Sequence, residues 1–401
     1  MRKTLFPSLA IGLLLFTGCN QKPAAESSAA GKDLERAQQT LDALYANYTV
    51  KGTQLLRETF PFDDSHKASY LASEEQNSAP NEYSYLWPFS GTFSAVNALL
   101  EATGDDKYKK ILDEKVLVGL EEYFDTTRTP AAYSSYINTA PASDRFYDDN
   151  IWLGIDFVDT YCLTGEMKYL EKSKLIWQFI ESGTDDKLGG GIYWCEQKKE
   201  SKNTCSNAPG AVYALKLFKA TGDSVYFRQG KELYEWTKTN LQDPEDKLFF
   251  DNIRLDGSVD KHKYAYNSGQ MLQAAVLLHK QTRESNYLED AKAIAASCAN
   301  YFFTDYTNDK GESIKLIRNG DIWFTAVMLR GFTELYSVDK NQFFIDLFSK
   351  SLDHGWKVMR DEKGLYNTDW SGEKKDDKKW LLTQAAFVEM QARIAASLSE
   401  K

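Results

Sequence analysis

Two adjacent carboxylates stand out in the stretch RFYDDNIWLG, residues 145–154. Asp148 and Asp149 lie between Tyr147 and an apolar run that holds Trp152. They have two readings. As a helix cap, Asp148 would accept backbone N–H bonds and Asp149 would favour the positive end of the helix. As reacting groups, two neighbouring carboxyls are what cleavage of a glycosidic bond needs. Consecutive helical residues diverge by about 100°, with Cβ atoms roughly 5–6 Å apart. That suits the carboxyl separation of about 5–5.5 Å in a retaining hydrolase. One would attack as nucleophile. The other would protonate the leaving oxygen and then activate water. The helix N-terminus would favour the ionised nucleophile, while burial and a charged neighbour would keep the proton on the acid. The choice between cap and catalyst depends on where the stretch sits in the fold.

The fold is legible as a repeat. TGDDKYKKIL begins at Thr103, TGEMKYLEKS at Thr164, TGDSVYFRQG at Thr221 and TRESNYLEDA at Thr282, with a weaker copy from Ser337. The spacing is about 60 residues. Before each turn lies an apolar helix rich in small residues: 88–102, 148–163, 208–220, 268–281, 321–336 and, last in the chain, 380–397. After each turn lies an amphipathic one: 105–124, 166–182, 223–240, 284–303 and 339–358, with 33–48 completing the set. Apolar helices suit an inner ring and amphipathic helices an outer ring with one wet face. Six such hairpins close into an all-α (α/α)6 toroid. An open superhelix of tetratricopeptide-like hairpins would show a period near 34.

The connections are lopsided. Inner-to-outer turns are short, whereas the outer-to-inner loops are long: roughly 49–87, 126–147, 183–207, 241–267, 304–320 and 359–379. All the long loops emerge on one face, which is therefore the working face. The aspartate pair falls where the second of them meets its helix. The other loops carry side chains suited to sugars. Trp87 ends the first; Tyr193, Trp194, Asn203 and Asn207 follow the glycine run LGGG in the third; Asp251, Asn252, Tyr266 and Asn267 lie in the fourth. With Tyr147 and Trp152 these are the expected substrate-binding residues. Aromatic faces stack on sugar C–H faces, and amides and carboxylates bind hydroxyls. For any one aromatic, loop packing is the competing role.

Composition narrows the partners. The 401-residue chain carries a formal charge of −10, which disfavours nucleic acid and anionic membrane as ligands. MRKTLFPSLAIGLLLFTGCNQK reads as a bacterial lipoprotein signal over residues 1–18, cleaved before Cys19, the expected lipidation site. Residues 19–32 would be a flexible tether, and 33–401 a single catalytic domain. The membrane would be met only through the lipid, at the outer membrane, on its surface or periplasmic side. Cys195 and Cys205 share one loop and could pair in an exported protein, whereas Cys162 and Cys298 read as small buried apolar residues. With only 4 His and no ligand spacing, no metal and no cofactor are expected. A monomer is expected.

Taken together, YDDNIWLG, GGGIYW, KNTCSNAPGA, FDNI with DGSVD, and YAYNSGQMLQA resemble glycoside hydrolase family 76, endo-α-1,6-mannanases of bacteria with related cell-wall enzymes in fungi. The resemblance covers about residues 34–397, in order. It implies the (α/α)6 fold, α-mannan or manno-oligosaccharides as substrate, Asp148 as nucleophile and Asp149 as acid/base. Cys205 departs from the pattern. Other enzymes on such a toroid are an exo-mannosidase, an unsaturated-glucuronyl hydrolase or a sugar 2-epimerase. The epimerase would lean on paired histidines, which His66, His262, His279 and His354 do not form. A non-catalytic glycan-capturing lipoprotein would retain the aromatics without needing the aspartates.

Overall fold

The computed structural model describes residues 28–307 and 311–399. The signal sequence and Cys19 lie outside the described residues. Twelve main helices alternate between two rings, in chain order. The outer ones are α1 (Ala29–Tyr48), α3 (106–121), α5 (Met167–Ser182), α7 (Ser224–Leu241), α9 (Ser285–Tyr301) and α11 (Gln342–Val358). The inner ones are α2 (Leu86–Thr103), α4 (Tyr147–Thr164), α6 (Thr204–Thr221), α8 (Ala265–Thr282), α10 (Ile322–Asp339) and α12 (Leu381–Ser399). Each inner helix packs on the next, and α12 packs back on α2, which closes the ring. The all-α (α/α)6 toroid read from the repeat is the fold. α1 starts earlier than expected. Residues 29–32 belong to it rather than to a tether, and Lys32 Nζ reaches Asp353 at 2.7 Å.

The Thr-Gly repeat is a helix stop. At the end of α2, α4, α6 and α8, Thr103, Thr164, Thr221 and Thr282 return a hydroxyl to the carbonyl four residues back. The same hydroxyls accept the N–H two residues on. The intervening Gly104, Gly165 and Gly222 have φ of 62°, 72° and 74°, a left-handed cap that glycine adopts without strain. Arg283 and Lys340 take the same conformation in the later copies.

Inner helices are buried on most sides, so their few charges must pair inside. Arg330 on α10 makes a bidentate ion pair with Glu389 on α12 at 2.6 and 2.9 Å, and Arg393 adds a third bond. Asp156 on α4 accepts from Ser94 and Asn97 on α2.

The long loops carry short strands. Thr59–Phe60 pairs with Lys379–Trp380, tying the first loop to the last. Ser201–Asn203 joins a hairpin of Phe250–Arg254 and Val259–Lys263, tying the third to the fourth. These strands are too short to signal themselves by alternation. The expected outer helix at 105–124 is interrupted by a π turn at Leu112–Val116. Beyond it Gly119 approaches the first loop so closely that a Cβ would lie 2.7 Å from the Gln54 carbonyl oxygen.

Four of the loops are also fastened to their own helices from below. The fourth residue of α4, Asn150, bonds both backbone groups of Tyr133. The fourth of α6, Asn207, does the same to Ile192 at 2.7 and 2.9 Å and adds the Asn203 carbonyl. The fourth of α12, Gln384, does so to Tyr366. The fourth of α8, Ser268, accepts from Phe249 N. Buried backbone groups left without partners cost about 1–3 kcal/mol each. We therefore expect Asn207→Ala to lower the unfolding free energy by about 2–4 kcal/mol in urea titration. A loss within experimental error would show that the clamp contributes nothing.

Candidate active site

The second residue of an inner helix points over its own first turn towards the axis. Five such residues converge: Trp87 on α2, Asp148 on α4, Cys205 on α6, Tyr266 on α8 and Trp323 on α10. The third residues of α4 and α10, Asp149 and Phe324, join them. They line a pit of about 470 Å³ at the N-terminal ends of the inner ring.

The aspartates are surrounded by protein on every side but the pit, to which both remain partly open. Their environments differ. Asp148 Oδ2 accepts from the Trp194 indole N–H at 3.1 Å and from the Cys205 thiol at 3.3 Å, and its Oδ1 accepts from the Asp149 backbone N–H at 3.1 Å. Among the described residues no donor reaches the Asp149 carboxylate. Neither acid serves as N-cap, a place taken by Phe146 with no side-chain bond. Burial raises the Asp148 carboxyl to about 7, against the pull of its donors. Burial and then the charge of Asp148 hold Asp149 well above the usual carboxylate range. The arrangement supports one ionised and one protonated carboxyl side by side near neutral pH.

Opposite the pair stands an aromatic wall. Tyr266 stacks on Phe324 with centroids 4.0 Å apart and rings 6° from parallel. Trp323 meets Trp87 and, edge-on, Trp152 at 5.2 Å. Tyr70 packs against Trp87 at 5.0 Å. A buried carboxylate, Glu58, organises this side. It accepts from Tyr70 Oη at 2.8 Å, Asn81 Nδ2 at 2.8 Å, Tyr85 N at 2.9 Å and Trp380 Nε1 at 3.3 Å. The remaining side is polar: Asn203, Asp251 and Asn252, with Lys198, Glu200 and Arg254 also in the lining. Asn252 donates to Asp251 at 2.9 Å, and burial raises the Asp251 carboxyl.

Of the expected site residues, Asp148, Asp149, Trp87, Trp152, Trp194, Asn203, Asp251, Asn252 and Tyr266 line the pit. Four do not. Tyr147 is buried, stacked on Phe179 at 4.6 Å beneath Gly183, where a Cβ would come within 2.5 Å of its ring. Tyr193 is buried and donates to Asp185 at 2.7 Å. Asn207 is the loop clamp described above, and Asn267 is fully buried outside the lining. The glycine run approaches Trp236 rather than the pit: a Cβ on Gly191 would lie 2.8 Å from that ring. Lys202, buried within this loop, bonds Asp185 and the carbonyls of Lys187 and Gly190 and so shapes the run from inside. Cys195 and Cys205 are free thiols, not a disulfide, because Cys205 turns to Asp148. Cys162 is exposed, contrary to expectation, while Cys298 is buried.

Sequence reasoning missed Tyr70, Glu58, Trp323, Phe324 and the pit position of Cys205. For Cys205, Trp323 and Phe324 a signal exists: in the repeat they fall beside Asp148 and Asp149 as second or third residues of an inner helix. Tyr70 and Glu58 come from an irregular loop with no repeat register.

The chain matches glycosyl hydrolase family 76 over residues 62–400. It resembles the family 76 mannosidase Bt3792 of Bacteroides thetaiotaomicron, at 34% identity and a TM-score of 0.83, over 92% of this chain and 99% of that one. A family 76 glycoside hydrolase from a bovine strain of the same species is 32% identical, with a TM-score of 0.82 over 92% of this chain and 78% of that one. An α-1,6-mannanase of a Salegentibacter species is 26% identical, with a TM-score of 0.71 over 91% of this chain and 99% of that one. That structure is of an inactive variant with two adjacent aspartates changed to asparagine, bound to α-1,6-mannotriose. No curated protein matched. The chain belongs to glycosyl hydrolase family 76.

Proposed function

We propose that this glycoside hydrolase is a retaining endo-α-1,6-mannanase, with Asp148 as nucleophile and Asp149 as acid/base. The observation that carries the reading is the unequal bonding of the pair. Three donors favour the ionised form of Asp148, whereas burial and its neighbour's charge favour the protonated form of Asp149. In the first step an Asp148 oxygen attacks the anomeric carbon. The bond to the leaving sugar oxygen breaks as Asp149 protonates it. In the second step Asp149, now ionised, takes a proton from water, and the water oxygen displaces Asp148 from the same carbon. The net product keeps the anomeric configuration.

Mannan is favoured as substrate by the family and by the mannotriose held by the Salegentibacter relative. Endo action is favoured by the length of the aromatic wall, which runs from Tyr70 through Trp87 and Phe324 to the exposed Tyr264, with Trp323 buried behind it. Trp87, Trp152, Tyr266, Asn203, Asp251 and Asn252 would contact the chain of sugars. We further propose a monomer, lipid-anchored through Cys19 at the outer membrane.

The soluble domain should convert unbranched α-1,6-mannan into a ladder of oligosaccharides. Mannose alone would indicate exo action, and binding without products a capture protein. Asp148→Asn should lose activity by about 10³-fold or more, with sugar binding retained. Asp149→Asn should lose about 10²–10⁴-fold on mannan and much less on a substrate with a good leaving group. Equal, mild losses in both would contradict these roles.

Activity should rise with pH as Asp148 ionises near 7 and fall when Asp149 ionises above it. Stability should run the other way. Both carboxyls hold protons in the folded chain that the unfolded chain releases from about pH 4 upward. The unfolded state therefore binds fewer protons across this window, and stability falls as pH rises through it. A double Asp148→Asn, Asp149→Asn variant should gain a few degrees in Tm at pH 8 and almost nothing at pH 4. An equal gain at both pH values would show that the pair is not held at raised pKa.

A further inference from the structure

Cys205 holds the second position of α6, the place that on α4 belongs to Asp148 itself. Its sulfur lies 3.3 Å from Asp148 Oδ2, in the lining of the pit, and the residue is 3% exposed. The thiol is neutral, since burial and the charge of Asp148 push its ionisation well above the usual range. An ionised carboxylate has no proton to give, so the S–H is the donor. On its other side the sulfur faces the Tyr266 hydroxyl, which is itself fixed by stacking on Phe324.

We propose that Cys205 is a positioning residue: its S–H···Oδ2 bond, together with the Trp194 indole, orients Asp148 and favours its ionised, attacking form. The proposal rests on Asp148 as nucleophile. A thiol suits this place. As a weak donor it holds the carboxylate in line and withdraws less electron density from the attacking group than a hydroxyl would. A disulfide to Cys195 would remove the donor, and Cys195 is turned away to Gln197.

The groups that face the pair come from every side. Asp149 lies on α4, Cys205 on α6 and Tyr266 on α8, and Trp194 and Cys195 come from the third loop. Tyr70 of the first loop faces Asp149, and Asp251 of the fourth faces Cys205. Among the described residues no lysine, arginine or histidine forms an ion pair with either aspartate. The Asp149 N–H on Oδ1 and the two side-chain donors on Oδ2, Cys205 and Trp194, together offset burial, and loss of the Cys205 donor should be read in the titration.

The test compares the protein with Cys205→Ala and Cys205→Ser by two measurements. One is the acid limb of kcat/KM on α-1,6-mannan. The other, independent of turnover, is infrared difference titration of the Asp148 carboxyl, with Asp148→Asn as the blank. In Cys205→Ala the limb and the carboxyl titration should both move up by about half to one pH unit, with kcat reduced more than KM is raised. In Cys205→Ser both should return to the original position or below, which a purely space-filling role would not produce. An unmoved titration in Cys205→Ala overturns the proposal, as does an equal upward shift in the serine variant. A shifted titration in a protein that does not cut mannan supports the role of Cys205 and counts against the mannanase reading instead.

Discussion

A buried amide or hydroxyl, set three residues into an inner helix and bonded to the backbone of the preceding loop, is the contact on which the pit depends. Long loops lose much conformational entropy on ordering, and their backbone groups need partners once covered. Asn150, Asn207, Ser268 and Gln384 supply those partners from a rigid helix. On α10 the fastening comes from outside instead: Ile317 N donates to Ser351 on α11 at 3.2 Å. On α4, α6 and α8 the helix register that puts the fourth residue under the loop also puts the second over the axis. Loop and pit are thus fixed by one choice of register.

The pit is assembled against local stability. Two carboxyls are brought together at low solvent access, with Glu58 and Asp156 buried and Asp251 half-buried in the same inner region. Each of the structural acids is answered. Glu58 has its ring of neutral donors, and Asp156 has Ser94, Asn97 and the charge of Arg330. Asp149 alone among these has no described donor. An unanswered carboxyl at the mouth of a cavity is costly for folding and useful for proton transfer, which is why raised carboxyls gather at functional sites.

Much of this was legible from residue order. The Thr-Gly period marked the helix stops, the lopsided connections marked the face that holds the pit, and the aspartate pair lines it. The misreadings share a cause. Asn207 and Asn267 have the hydrogen-bonding capacity of sugar-binding residues, but a shift of one or two positions along a helix turns a side chain from the axis into the wall. Asn203, one residue before α6, lines the pit, whereas Asn207, at the fourth position, does not. Tyr193 and Trp194, neighbours in the third loop, likewise point to opposite sides of the chain, one to Asp185 and one to Asp148. Glu58 and Tyr70 act through contacts made across the ring closure, between the first and last loops, and no local pattern encodes such a meeting.

The order of helices in the ring adds one more consequence. In the sequence α2, α4, α6, α8, α10, α12 the helix opposite α4 is α10. These are the two inner helices on which both the second and the third residues line the pit: Asp148 with Asp149, and Trp323 with Phe324. The carboxyl pair therefore faces an aromatic pair across the axis, and Trp152 closes the floor by meeting Trp323 edge-on one turn below Asp148. On the proposed reading, a sugar ring held by its C–H face against the aromatic side would present its anomeric carbon and exocyclic oxygen to the acidic side. In a toroid without this opposition, stacking and attack would compete for the same wall. The fold's own pseudo-sixfold arrangement would keep the two apart.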